Sequence, residues 1–328
     1  MKRLVQNIKA HLGKRGFTYI LVSTLITVVL LVFFFASSSY KYQDQTTLQQ
    51  VRIRAMNDFV KDLNNDIHRA TYISAFRAML ALEDNVATTG EYLTDINATF
   101  REAFFYGTIN GSDSGIMLNS TFQDYLLRVQ DMASNTGFGL DMNVSSIRIV
   151  QASPWVITVY MSINISIDDA KRTASWNISK EYSTDIPIEN LRDPLYSKNT
   201  LNRVPNVIKQ FNQSVLVNGS NVTNLETLIA DSYYLESPDA PSFIMRFVGD
   251  TGSDPNGIES VVDIVDISDQ DIEVDENAVK IDYIYFNSIS TDKVCDVENL
   301  DPSYYFVIPS DRIALYQIGG LNYSVSCP

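Results

Sequence analysis

The sequence predicts an α+β protein built as parts in series: an N-terminal transmembrane helix, a long amphipathic stalk helix and an antiparallel β-rich ectodomain. Three observations carry this. Residues 17–36 hold no charge, and only Thr18, Tyr19, Ser23, Thr24 and Thr27 among them are polar. Residues 44–89 contain neither Pro nor Gly and repeat apolar side chains at three- and four-residue steps. Further on, Ile157, Val159, Met161, Ile163, Ile165 and Ile167 alternate with polar residues, the period of a strand with one buried face.

The first element is the leader, residues 1–16, with Lys2, Arg3, Lys9, Lys14 and Arg15 and no acidic residue. The apolar segment 17–36 follows. Twenty helical residues at about 1.5 Å each match a hydrocarbon core of about 30 Å. The positive leader stays cytoplasmic, so the chain is expected in the cell membrane as a single-pass protein with its C-terminal domain extracellular. The rival reading is a cleavable secretory signal, whose apolar region runs about 7–15 residues and ends at small residues. Ala36-Ser37-Ser38-Ser39 loosely offers such an end, but the length of the run and its Leu, Val and Phe content favour an uncleaved anchor.

The outer part carries Asn-X-Ser/Thr acceptors at Asn97, Asn110, Asn119, Asn143, Asn164, Asn177, Asn212, Asn218, Asn221 and Asn322. Chance pairing of the chain's Asn with its Ser and Thr gives about four. All ten follow the apolar segment, where a glycosylating enzyme on the outer side would reach them. The whole-chain net charge of −14, less the leader's +5, leaves −19 on residues 16–328. That acidity favours solubility and excludes a nucleic-acid footprint. Cys295 and Cys327 both fall in the outer part, where an oxidising environment favours a disulfide of about 3 kcal/mol; two free buried thiols are the alternative.

After a polar break at residues 37–43, the stalk helix spans 44–89. Its stripe is Ile53, Met56, Val60, Leu63, Ile67, Ala70, Ser74 and Arg77, widened by Phe59, Ile73 and Phe76, with Gly90 as the stop. Residues 90–248 form the α+β ectodomain. It has helices around Phe100–Tyr106 and Thr121–Ser134, a β-unit over 145–190 turning at Asp168–Arg172, and short helices near Val204–Phe211 and Leu225–Tyr234. Residues 249–328 form a C-terminal β-rich part, separate or in the same domain. Its strands fall at Val279–Phe286 and Tyr304–Ile308, and a Gly319-Gly320 hairpin joins Arg312–Ile318 to Leu321–Val325.

The search for catalytic chemistry finds little. The two histidines are His11 in the leader and His68 on the stalk, so a nucleophilic triad has only His68 to draw on, and a zinc site of several histidines is excluded. Asp250-Thr251-Gly252 looks like one half of an aspartic protease site, but no second copy supplies the paired carboxylate. The same acidic loop at Asp250, with Asp263, Asp266, Asp269 and Asp271 nearby, offers oxygens for calcium without matching an EF-hand; a solvated acidic face is the plainer reading. No cofactor is expected.

Lys14-Arg15-Gly16-Phe17-Thr18 followed by an apolar helix resembles the leader of type IV pilins and archaeal pilin-like proteins. The resemblance implies cleavage between Gly16 and Phe17, an assembly helix over 17–36 and a head carried on its continuation. Bacterial members usually have Glu at the fifth mature position, where this chain has Leu21. Tyr72–Ala78, Pro154-Trp155 and Val279–Phe286 are similar to segments of uncharacterised archaeal single-pass surface proteins, a resemblance that implies location rather than activity. The expected function is therefore a non-enzymatic, glycosylated surface protein, as a pilin-like filament subunit or minor pilin. Its partners would be membrane lipid and copies of itself or other pilin-like subunits. The alternatives are a monomeric tethered ectodomain binding a surface ligand and, third, an anchored hydrolase.

Overall fold

Helix α1 (Lys2–Thr89) is continuous through residues 37–43, where the sequence reads as a polar break. Those residues lack Gly and Pro, and polarity alone does not interrupt a helix. The computed structural model describes residues 2–172, 174–291, 293–297, 300, 306–320 and 325–326, with 2–15, 39–46, 48, 320 and 325–326 as backbone alone. It divides into two units: Met1–Leu63 with Asp169–Ser175, and Asn64–Asp168 with Trp176–Pro328. In the first unit, Arg52 Nε donates to Asp169 Oδ1 at 2.9 Å.

The expected α1 stripe holds only in part. Met56, Leu63 and Ile67 are buried, but Arg77 and Ile73 are exposed. Ser74 of the expected stripe is also buried, but around it the buried face runs through Thr71, Ala75, Ala78, Met79, Leu82 and Val86. A 3.5-residue repeat drifts by about 20° per heptad around a straight helix, so a stripe extrapolated from its first half leaves the core in its second. Gly90 ends α1 at φ +68, its amide bonded to the Val86 carbonyl.

Helix α2 (Ile96–Tyr106) starts at the Asp95 cap, which accepts from the Ala98 amide, and stops at left-handed Gly107. A two-residue hairpin, β1 (Thr108–Ile109) and β2 (Ser112–Asp113), leads to α3 (Phe122–Asn135). Thr121 and Asp124 start α3 with a reciprocal capping box. Phe104 and Phe122 stack at 5.1 Å between these helices.

Strands β3 (Phe138–Ser153), β4 (Val156–Asp169) and β5 (Ser175–Pro187) form a meander with β4 in the middle. The alternating isoleucines of β4 are all buried, as the period-two pattern requires. In β3 the buried set switches from even positions at Phe138 and Met142 to odd ones at Ile149 and Gln151.

Beyond Ile188 the chain is mostly short elements: α4 (Pro194–Asn199), α5 (Thr223–Ala230), β6 (Tyr234–Glu236), α6 (Phe243–Arg246), β7 (Ile258–Ser260), α7 (Ile264–Ser268) and α8 (Asp282–Phe286). Strands β8 (Val294–Val297), β9 (Val307–Pro309) and β10 (Val325–Ser326) form an antiparallel sheet with β8 central. One apolar core joins Leu195 to Ile318 across Gly249. A Cβ on Gly257 would lie 2.0 Å from the Ala240 carbonyl oxygen, so only glycine fits there.

Three expectations are corrected here. Residues 282–286 are helix rather than strand; Lys280 and Asp282, which should face water in a strand, are fully buried. Residues 204–211 form isolated bridges and not a helix, since Val207 and Gln210 pair with Arg192 and Tyr234. Residues 310–320 are 3-10 turns and not one arm of a hairpin, because Arg312 turns inward to Glu259. Of the expected Tyr304–Ile308 strand, Val307 and Ile308 fall in β9 and residues 304–305 lie outside the described residues, as do residues 321–324 of the hairpin.

Candidate functional site

Residues Gly16–Ser38 make a helical segment long and apolar enough to cross a membrane, and none of it is buried. Its polar side chains are quieted locally. Thr24 Oγ1 donates to the carbonyls of Ile20 and Leu21, and Thr27 Oγ1 donates to that of Ser23. Back-bonded hydroxyls remove the cost of placing Thr in an apolar medium. Gly16 and Phe17 lie inside this helix, and Gly16 has no neighbour within 4 Å of where a Cβ would stand.

Every sequon asparagine among the described residues is exposed: Asn97, Asn110, Asn119, Asn143, Asn164, Asn177, Asn212, Asn218 and Asn221. Asn322 lies outside the described residues. Asparagine is not uniformly exposed in this protein. Of the thirteen described asparagines outside sequons, only Asn57, Asn65, Asn135, Asn190 and Asn277 are exposed. The sequons therefore occupy a more open set of positions than residue type alone explains. Cys295 is fully buried in β8, and no free cysteine occurs among the described residues; Cys327 lies outside them.

The chemically dense part of the second unit is a buried polar cluster that periodicity did not reveal. Arg246 Nη1 donates to Asp193 Oδ2 at 2.6 Å and to Asp282 Oδ2 at 2.8 Å, with all three side chains at zero exposure. Arg246 Nη2 also donates to the Ile258 carbonyl. Tyr234 Oη donates to Asp193 Oδ2 at 2.7 Å, and Ser260 Oγ to Asp282 Oδ2 at 2.9 Å. Burial works against the charged Arg246, but Asp193 and Asp282 outweigh it and hold the guanidinium protonated. Desolvation pushes Asp193 upward against the pull of Arg246. A second buried group sets Arg312 Nε on Glu259 Oε2 at 3.1 Å, with Tyr316 Oη donating to Glu259 Oε1. An arginine inside the apolar run Phe243–Val248 was the available signal.

Paired buried ions hold these short elements in one arrangement, although Arg246 Nε is buried without a hydrogen-bond partner. His68 packs edge-on against Tyr182 at 4.9 Å. Asp250 Oδ1 accepts from the Gly252 amide and Asp263 Oδ1 from the amides of Val265 and Asp266, so these carboxylates cap their own turns. No group of three or more His, Cys, Asp or Glu placed to hold a metal occurs among the described residues. A cavity of about 780 Å³ lies beside α1 and α3, with Ile73, Leu127 and Met132 in its wall and Arg69 and Arg128 at its rim. Comparison with protein-family models, curated proteins and solved structures finds no match to this chain.

Proposed function

We propose that this chain is a non-enzymatic surface glycoprotein anchored in the cell membrane by α1, with its leader cytoplasmic and its C-terminal domain outside. The observation that carries the reading is the unburied apolar segment Gly16–Ser38, which follows five basic residues and precedes an acidic chain. An unburied stretch of that length and composition is unfavourable in water and favourable in a bilayer. The uniform exposure of the nine described sequon asparagines supports the glycoprotein part.

The sharpest form of the reading is pilin-like. A peptidase cuts between Gly16 and Phe17, and the exposed apolar helix then packs against copies of itself or other pilin-like subunits. Mass spectrometry of the native N-terminus tests this. A chain beginning at Phe17 supports it; an intact Met1, or a start after Ser38 or Ser39, contradicts it. An intact Met1 would instead favour a tethered ectodomain that binds a ligand, for which the cavity beside α1 and α3 is the relevant feature.

A Cys295–Cys327 disulfide belongs to the same proposal. Val325 pairs with Val297 and Ser326 with Asp296, so β10 runs along β8, the strand that carries Cys295. The non-reduced chain is then expected to resist alkylation at both cysteines, and alkylation at either without reductant removes the bond from the account.

A further inference from the structure

Resting on the glycoprotein reading, we propose that the fold sorts the sequons into two classes: once the chain has folded, Asn97 and Asn119 are closed to glycosylation while the strand sequons remain open. The acceptor signal consists of an asparagine and a hydroxyl two residues on, so a transferase must reach both. Along a strand, residues i and i+2 point to the same face; along a helix they are turned by about 200° and do not.

Asn164 and Ser166 share the outward face of β4, as Asn177 and Ser179 share that of β5. Asn97 sits in the first turn of α2, and there the geometry is reversed. Its amide is exposed, with Oδ1 accepting from the Ile149 amide at 3.2 Å. Thr99 is only 6% exposed, and its Oγ1 donates to the Asp95 carbonyl at 2.7 Å. Asn119 is closed differently. It is exposed at φ +58, but Thr121 is 8% exposed and is the cap of α3. Thr121 Oγ1 accepts from the Asp124 amide at 3.0 Å and donates to Asp124 Oδ2 at 2.8 Å.

The reaction joins Asn Nδ2 to the anomeric carbon of a sugar carried on a lipid-linked phosphate donor. The anomeric C–O bond breaks, the phosphate leaves with its electron pair, and the amide gives up one proton to a base. Presenting Asn97 or Asn119 with its hydroxyl requires opening a capped helix end first, whereas the outward face of a strand presents both groups as folded.

The test uses the full-length unmodified chain in detergent micelles, incubated with transferase-bearing membranes and a lipid-linked sugar donor, with occupancy read by glycopeptide mass spectrometry. The unfolded reference is the same chain carrying Val159→Asp and Met161→Asp, which disrupt β4 outside any sequon. On the folded chain, occupancy at Asn97 and Asn119 is expected about tenfold below that at Asn164 and Asn177. On the reference all four are expected to be modified alike. Equal modification of the four on the folded chain overturns the proposal. Refusal of Asn97 and Asn119 on the reference also overturns it, by placing the cause in local sequence. No modification of either chain at any sequon removes the glycoprotein reading itself, a result distinct from both.

Discussion

Glu83, near the end of α1, has one carboxylate oxygen accepting from the Arg192 amide at 3.1 Å and the other buried without a partner. Desolvation pushes its pKa up to about 8 from an ordinary 4.5, outweighing the Arg192 amide bond that pulls it down. Because the folded state holds this proton more tightly than the unfolded chain, the group costs nothing below pH 4.5. Its cost grows as pH rises from 4.5 to 8 and is constant above. Glu83→Gln is therefore expected to remove a stability loss of about 1.4 kcal/mol per pH unit across that window, seen as a flatter dependence of the urea midpoint on pH. Arg246→Met makes a second expectation. It strands Asp193 and Asp282 as buried unpaired carboxylates, and urea unfolding should read a loss of about 3–5 kcal/mol. A change below about 1 kcal/mol would show that the cluster is not the brace described.

At the scale of elements, legibility followed the regularity of the packing surface. The β4 alternation was readable because one sheet face meets one core, so burial repeats with the pleat. Ile163→Ala in that strand is expected to cost about 2–5 kcal/mol, measured by denaturation. The helix expected around Thr121–Ser134 matches α3, which Thr121 caps, whereas the one expected around Phe100–Tyr106 misses the first turn of α2, which the Asp95 cap starts. Thr121→Ala is expected to cost about 1 kcal/mol. The region after Ile188 was not readable in the same way. Its elements are two to eight residues long, and side chains such as Lys280, Asp282 and Arg312 point inward to polar partners. Lys280 Nζ donates to the carbonyls of Asp275 and Glu276, which satisfies a cation that any periodic reading sends to solvent. The candidate site divides in the same way: the apolar segment and the sequons are linear signals, whereas the buried ion cluster joins residues as far apart as Asp193, Arg246 and Asp282.

For the whole molecule, the proposed outward-facing surface protein rests on an apolar helical segment, a net charge of −19 beyond the leader and a set of exposed sequons. Each has a separate physical basis: hydrocarbon thickness, self-repulsion in water, and access to a transferase. The central claim is the anchored, outward topology, and protease treatment of intact cells followed by alkaline extraction of their membranes tests it most directly. External protease is expected to remove the C-terminal domain, and the untreated chain is expected to stay in the membrane pellet after extraction. A chain released by alkali, or one fully protected until the cells are lysed, would contradict it.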